Sequence, residues 1–181
     1  LRKYFIHIIL LSVLISCQHQ EKKEGWSSYN TPYYQIEYPD NFEFVKKGQH
    51  NEAGDKMLQQ AEFFLYLNDS ISQLNNQFQA NLNLLIQDLK GLNYTLDEFA
   101  QMSEEQVVKL IQDSEILESV PFSTYHKIKY KGKLDDRIIY FHQHYQLKNE
   151  KAFILTFSAL KEDFTTYQPI IEKIFESFKV K

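Results

Sequence analysis

From Ser123 to Ala159 the chain reads STYHKIKYKGKLDDRIIYFHQHYQLKNEKAFILTFSA. Aromatic and β-branched residues recur through it with a period near two, as in strands that turn one face to a core. Together with residues 116–121 just upstream, it divides into four successive strands, 116–121, 123–130, 136–147 and 152–159. Lys131-Gly132-Lys133 and Lys148-Asn149-Glu150 carry turn chemistry and are expected to close two hairpins.

The flanks add helices and further strands. Upstream, Thr95-Leu96-Asp97-Glu98 has the form of a capping box, with Thr95 as N-cap and Glu98 three residues on. Leu96, Phe99, Met102, Val107, Leu110 and Ile111 follow at helical spacing. That stripe suits a core face, with a partner-binding face as the alternative. A second box, Ser103-Glu104-Glu105-Gln106, predicts a kink or a restart. Residues 78–89 read as a strand with Leu82, Leu84 and Ile86 on one face, and 61–67 as a compact apolar run. Tyr34, Ile36 and Tyr38 alternate before the turn Pro39-Asp40-Asn41, and Phe42 and Phe44 begin another short strand. Residues 46–60 and 68–77 read as connections. Downstream, Phe164, Tyr167, Ile171, Ile174, Phe175 and Phe178 make a closing amphipathic helix. Pro169 is expected in its first full turn or at a break, because an interior proline costs about 3 kcal/mol.

Composition narrows the class. The 181 residues include 20 Lys plus Arg and 24 Asp plus Glu, a formal charge of −4, which argues against the basic face of a nucleic-acid binder. A hydrophobic content of 43% supports one domain with a real core and excludes a disordered body. One cysteine excludes a disulfide framework, and five glycines leave no material for a phosphate-cradling loop or dinucleotide fingerprint.

Arg2 and Lys3 precede an apolar run from Tyr4 to Ile15, the layout of a secretory signal and too short to span a bilayer. Leu14-Ile15-Ser16-Cys17 then resembles the bacterial lipobox. That resemblance implies cleavage before Cys17 and lipidation of its thiol, with residues 1–16 as the signal. Two or more acyl chains on one cysteine give stable anchoring. Residues 17–30 are then the lipidated cysteine and a polar tether, and 31–181 the folded body. The cluster Glu21-Lys22-Lys23-Glu24 is a solvated charge run or, alternatively, a sorting signal for surface export.

Several strings in order resemble the PsbP-like superfamily, which includes the DcrB-type and LpqN-type bacterial lipoproteins. They are Tyr34-Gln35-Ile36-Glu37-Tyr38-Pro39, Asn83-Leu84-Leu85-Ile86-Gln87-Asp88-Leu89 and Tyr94-Thr95-Leu96-Asp97-Glu98-Phe99, then Lys151-Ala152-Phe153-Ile154-Leu155-Thr156-Phe157 and Ile174-Phe175-Glu176-Ser177-Phe178. The resemblance implies an α+β fold, an α/β/α sandwich with a central, mainly antiparallel sheet and helices packed on it. It also implies a non-catalytic module that binds or assists other proteins.

Few residues are placed for chemistry. His142 and His144 lie two apart on an expected strand, so both point to one face. A hairpin turning near Gly132 would bring His126 beside His142, and three imidazoles could hold zinc or copper. The alternative is that the three make ordinary hydrogen bonds. No carboxylate pair is fixed by spacing, and no Gly-x-Ser-x-Gly elbow exists. The expectation is therefore a lipoprotein held in a bacterial envelope membrane through the lipid on Cys17, without catalysis, cofactor or nucleic-acid partner. It would bind another envelope protein. A small-ligand or metal carrier is the alternative.

Overall fold

In the computed structural model, residues 24–47, 60–68 and 78–181 are described. In chain order they form β1 (Trp26–Asn30), β2 (Tyr34–Pro39), β3 (Glu43–Lys46), β4 (Phe63–Tyr66), β5 (Asn81–Asp88) and α1 (Leu96–Leu110). Then come β6 (Gln112–Pro121), β7 (His126–Leu134), β8 (Arg137–Lys148), β9 (Lys151–Ala159), α2 (Lys161–Ser177) and β10 (Lys179–Val180). The expected signal and Cys17 lie outside the described residues, as do most of the two expected connections.

β6 to β9 form the expected antiparallel meander, but one hairpin turns elsewhere than Lys131-Gly132-Lys133. β7 runs on through Gly132, which pairs with Ile139, and Leu134 pairs with Arg137 across a loop of Asp135 and Asp136. Asp135 takes a left-handed φ of 54°, which aspartate tolerates better than most residues. Gly132 serves packing instead: a Cβ there would overlap the Ile111 side chain at the end of α1. The β8–β9 turn falls as expected, with Asn149 and Glu150 both at positive φ between the paired Lys148 and Lys151.

A seven-stranded sheet in the order β3-β4-β5-β9-β8-β7-β6 results, antiparallel at every pairing. Two meanders meet at its centre, where all eight residues of β5 pair with β9. A second sheet, β1-β2-β10, also antiparallel, contains the polar residues expected to be tether: Trp26 pairs with Pro39 and Asn30 with Gln35. Folded structure therefore begins before Thr31. Trp26 and Tyr29 anchor β1 against the core.

The large sheet separates two cores. On one face, Leu82, Leu84, Leu155 and Phe157 meet Ile36 of the small sheet and Ile171, Ile174 and Phe175 of α2. On the other, Phe99, Ala100 and Val107 of α1 pack on Ile128, Tyr130 and Tyr145.

Both helices hold where the sequence suggested breaks. The first capping box forms as read: Thr95 Oγ1 accepts from the Glu98 N–H at 3.2 Å, and the Thr95 N–H donates to Glu98 Oε2 at 2.8 Å. At the second, Ser103 Oγ donates back to the Phe99 carbonyl at 2.8 Å, so α1 continues without restarting. Pro169 lies in the middle of α2, not in its first turn. Ile171, Ile174 and Phe175 beyond it and Phe164 before it pack on the same core, which holds both halves in line.

Candidate functional site

α1 covers part of its sheet face and leaves a groove of about 240 Å³ beside it. Phe99, Met102, Val107 and Ile111 form the helix wall, and Tyr145 and Gln143 lie on the sheet side. No residue lining the groove carries a formal charge. Tyr145 OH donates to Gln143 Oε1 at 2.6 Å, and Gln143 Nε2 donates to Thr156 Oγ1 at 2.9 Å. Burial pushes the Tyr145 and Tyr130 phenols above their ordinary range, so both stay neutral. At the groove end of the helix, Leu110 is 75% exposed and Val108 61%.

A polar cluster holds the same helix against the β6–β7 edge. His126, at the start of β7, approaches Ser119 Oγ of β6 through Nε2 at 2.8 Å, and Ser119 Oγ donates to Glu104 Oε1 of α1 at 2.5 Å. His126 Nε2 is 3.6 Å from the same carboxylate oxygen, and its Nδ1 is 3.9 Å from Asp97 Oδ1. Among the described residues, Nδ1 of His126 is the buried side-chain nitrogen or oxygen left without a hydrogen-bond partner.

The three histidines do not converge. A two-residue loop places His126 opposite Tyr145, so it shares the α1 face with Tyr145, while Lys127 and Lys129 pair with His144 and His142 on the opposite face. There His142 Nε2 and His144 Nε2 lie 3.2 Å apart, with one donating to the other. His142 stacks on Phe175 of α2 at 4.4 Å, and His144 on Tyr125 at 4.3 Å. Burial holds both well below the ordinary imidazole value, His142 at about 2 with help from His144, and His144 at about 3 with help from Lys127 and Lys129. They are neutral packing groups, and no set of three metal-ligating side chains occurs among the described residues. The sequence reading missed Asp97, Glu104 and Ser119. Asp97 and Glu104 share one helix, but spacing carried no signal that Ser119 of β6 and His126 of β7 meet them.

No family model matches the chain, and neither does any curated protein. Solved structures do. The cyanobacterial PsbP (CyanoP) of Synechocystis superposes with a TM-score of 0.60 at 14% identity, covering 93% of this chain and 99% of its own. LpqN of Mycobacterium tuberculosis, involved in cell envelope biogenesis, gives 0.61 at 7% identity over 86% of this chain and 91% of its own. The Saccharomyces cerevisiae Ran-binding protein Mog1p gives 0.55 at 10% identity over 86% and 95%. At these identities the likeness is one of fold: the protein is an α+β sandwich of PsbP-like architecture.

Proposed function

We propose that this protein is a lipid-anchored envelope protein whose PsbP-like domain binds another protein without catalysis. One observation carries the reading: Leu110 lines an uncharged, mainly apolar groove while standing exposed, and Val108 is exposed in the same last turns of α1. Exposed apolar side chains at a concave site suit a partner that inserts apolar groups of its own. The fold shared with LpqN, a protein of envelope biogenesis, and with the Ran-binding protein Mog1p supports the same direction. Anchoring rests on the Leu14–Cys17 string, and among the described residues no helix is long and apolar enough to cross a membrane.

A photo-crosslinking residue at Leu110, introduced in the native host, tests the reading. The expected result is one adduct of defined mass in the membrane fraction, absent when the crosslinker stands at Leu92, which is exposed elsewhere. The adduct should weaken with Cys17→Ser, which also loses incorporation of a fatty-acid label. Equal adducts from Leu92, or none from Leu110, would discard the binding reading. Undiminished lipid labelling of Cys17→Ser would discard the anchor.

A further inference from the structure

Two carboxylates, a serine and a histidine meet where α1 lies against the β6–β7 edge, and their hydrogens can be assigned from chemistry. A carboxylate only accepts, so the 2.5 Å contact takes the Ser119 hydroxyl hydrogen to Glu104. Ser119 Oγ then offers His126 only lone pairs across 2.8 Å, and Nε2 must be the donor. In a neutral imidazole this leaves Nδ1 a bare acceptor, and no donor reaches it. The nearest charged group, Asp97 Oδ1 at 3.9 Å, has no hydrogen to give. An unmet buried acceptor is destabilising. In the imidazolium both nitrogens carry hydrogens, and each faces a carboxylate of α1: Asp97 at Nδ1, and Glu104 at 3.6 Å from Nε2.

The other groups around the ring do not offset this. Tyr145, its register partner on β8, is a neutral phenol, and Lys127 and Lys129 on the far face are engaged by Glu118. His126 and Ser119 belong to the sheet, and Asp97 and Glu104 to the helix, so the attraction acts between α1 and the β6–β7 edge, beside the groove that the same helix walls.

We propose that His126 is a proton-operated latch: protonation clamps α1 onto the β6–β7 edge of the sheet, and deprotonation lets the helix loosen, which reshapes the groove that α1 walls. The consequence for binding rests on the reading of the groove given above, whereas the latch itself does not.

Hydrogen exchange of the full chain at pH 7.5 and 6.0, corrected for intrinsic rates and read on peptides spanning residues 96–110, tests the latch without any partner present. His126→Gln keeps an N–H for Ser119 and leaves His142 and His144 in place, so any global effect of acid appears in both proteins. The wild-type helix should exchange about tenfold more slowly than the variant at pH 6.0, and within about twofold of it at pH 7.5. Should His126→Gln fail to fold, Asp97→Asn, which alters an exposed side chain, should shrink the wild-type pH response by itself. A helix whose exchange relative to these variants is the same at both pH values overturns the latch. Loss of the Leu110 crosslink with the exchange pattern intact would instead overturn the binding reading.

Discussion

A single hydrogen shared across 3.2 Å joins His142 to His144 beneath the ring of Phe175. This pair fixes one pH dependence of the fold. Both folded values, about 2 and about 3, lie below the ordinary imidazole value of 6.5. The unfolded chain therefore takes up protons that the folded state refuses. Stability is fully present above pH 6.5 and drains away as pH falls toward 3, by about 1.4 kcal/mol per pH unit for each imidazole while both resist protonation. The urea midpoint should drop steadily between pH 7 and pH 5, and the double variant His142→Gln with His144→Gln should show a much flatter slope. An equal slope in both proteins would mean that other groups carry the acid response. At this scale the sequence was legible in one respect: the two-residue spacing put both histidines on one face. It failed for His126 because face assignment across a hairpin depends on the parity of the loop. Moving the turn from Gly132 to Asp135-Asp136 sends that ring to the other core.

Between elements, Gly132 shows how a residue can be read correctly as unusual and still be given the wrong task. Glycine marks turns because it tolerates positive φ, but here it sits in regular strand and leaves room for Ile111 as α1 hands over to β6. Strand propensity predicts that alanine would improve β7. The packing predicts the reverse, a loss of about 1–3 kcal/mol from overfilling. Chemical denaturation of Gly132→Ala, alone and with Ile111→Ala, separates the two: the loss should largely vanish in the double variant, a coupling that strand propensity would not produce. Ser103 and β1 were obscured for related reasons. A serine followed three residues later by glutamine looks alike whether it caps a helix or bonds back to the preceding turn, and tertiary burial of Phe99 and Val107 decides between them. Trp26–Asn30 has the polar content of a linker because its strand lies at the edge of the small sheet, where Ser28 and Asn30 are exposed and none of its residues is fully buried. The capping box at Thr95, by contrast, is wholly local, and it was legible for that reason.

For the molecule as a whole, the α/β/α arrangement was implied by the resemblance to the PsbP-like superfamily, whereas the alternating runs and amphipathic stripes by themselves gave only the strands, the two helices and the covered side of each. The division into two sheets was hidden, because β10 is only two residues long and depends on β2, far away in the chain. The seam between β5 and β9 has a further consequence, for the timing of folding. During synthesis β3, β4 and β5 leave the ribosome as a small meander whose inner edge has nothing to pair with. Their true neighbour, β9, is made only after α1 and β6 to β8, so the sheet cannot close until residues through Ala159 are available. Such distant pairing folds slowly, since a long loop must be closed before any contact rewards it. A fragment ending at Glu150 should accordingly show no cooperative melt by circular dichroism, although it contains β1 to β8 and all of α1. A sharp transition in that fragment would show that a cooperative fold does not need the β5–β9 seam. Without one, the nascent protein keeps its large sheet unzipped along the β5 edge until β9 emerges to join the two meanders.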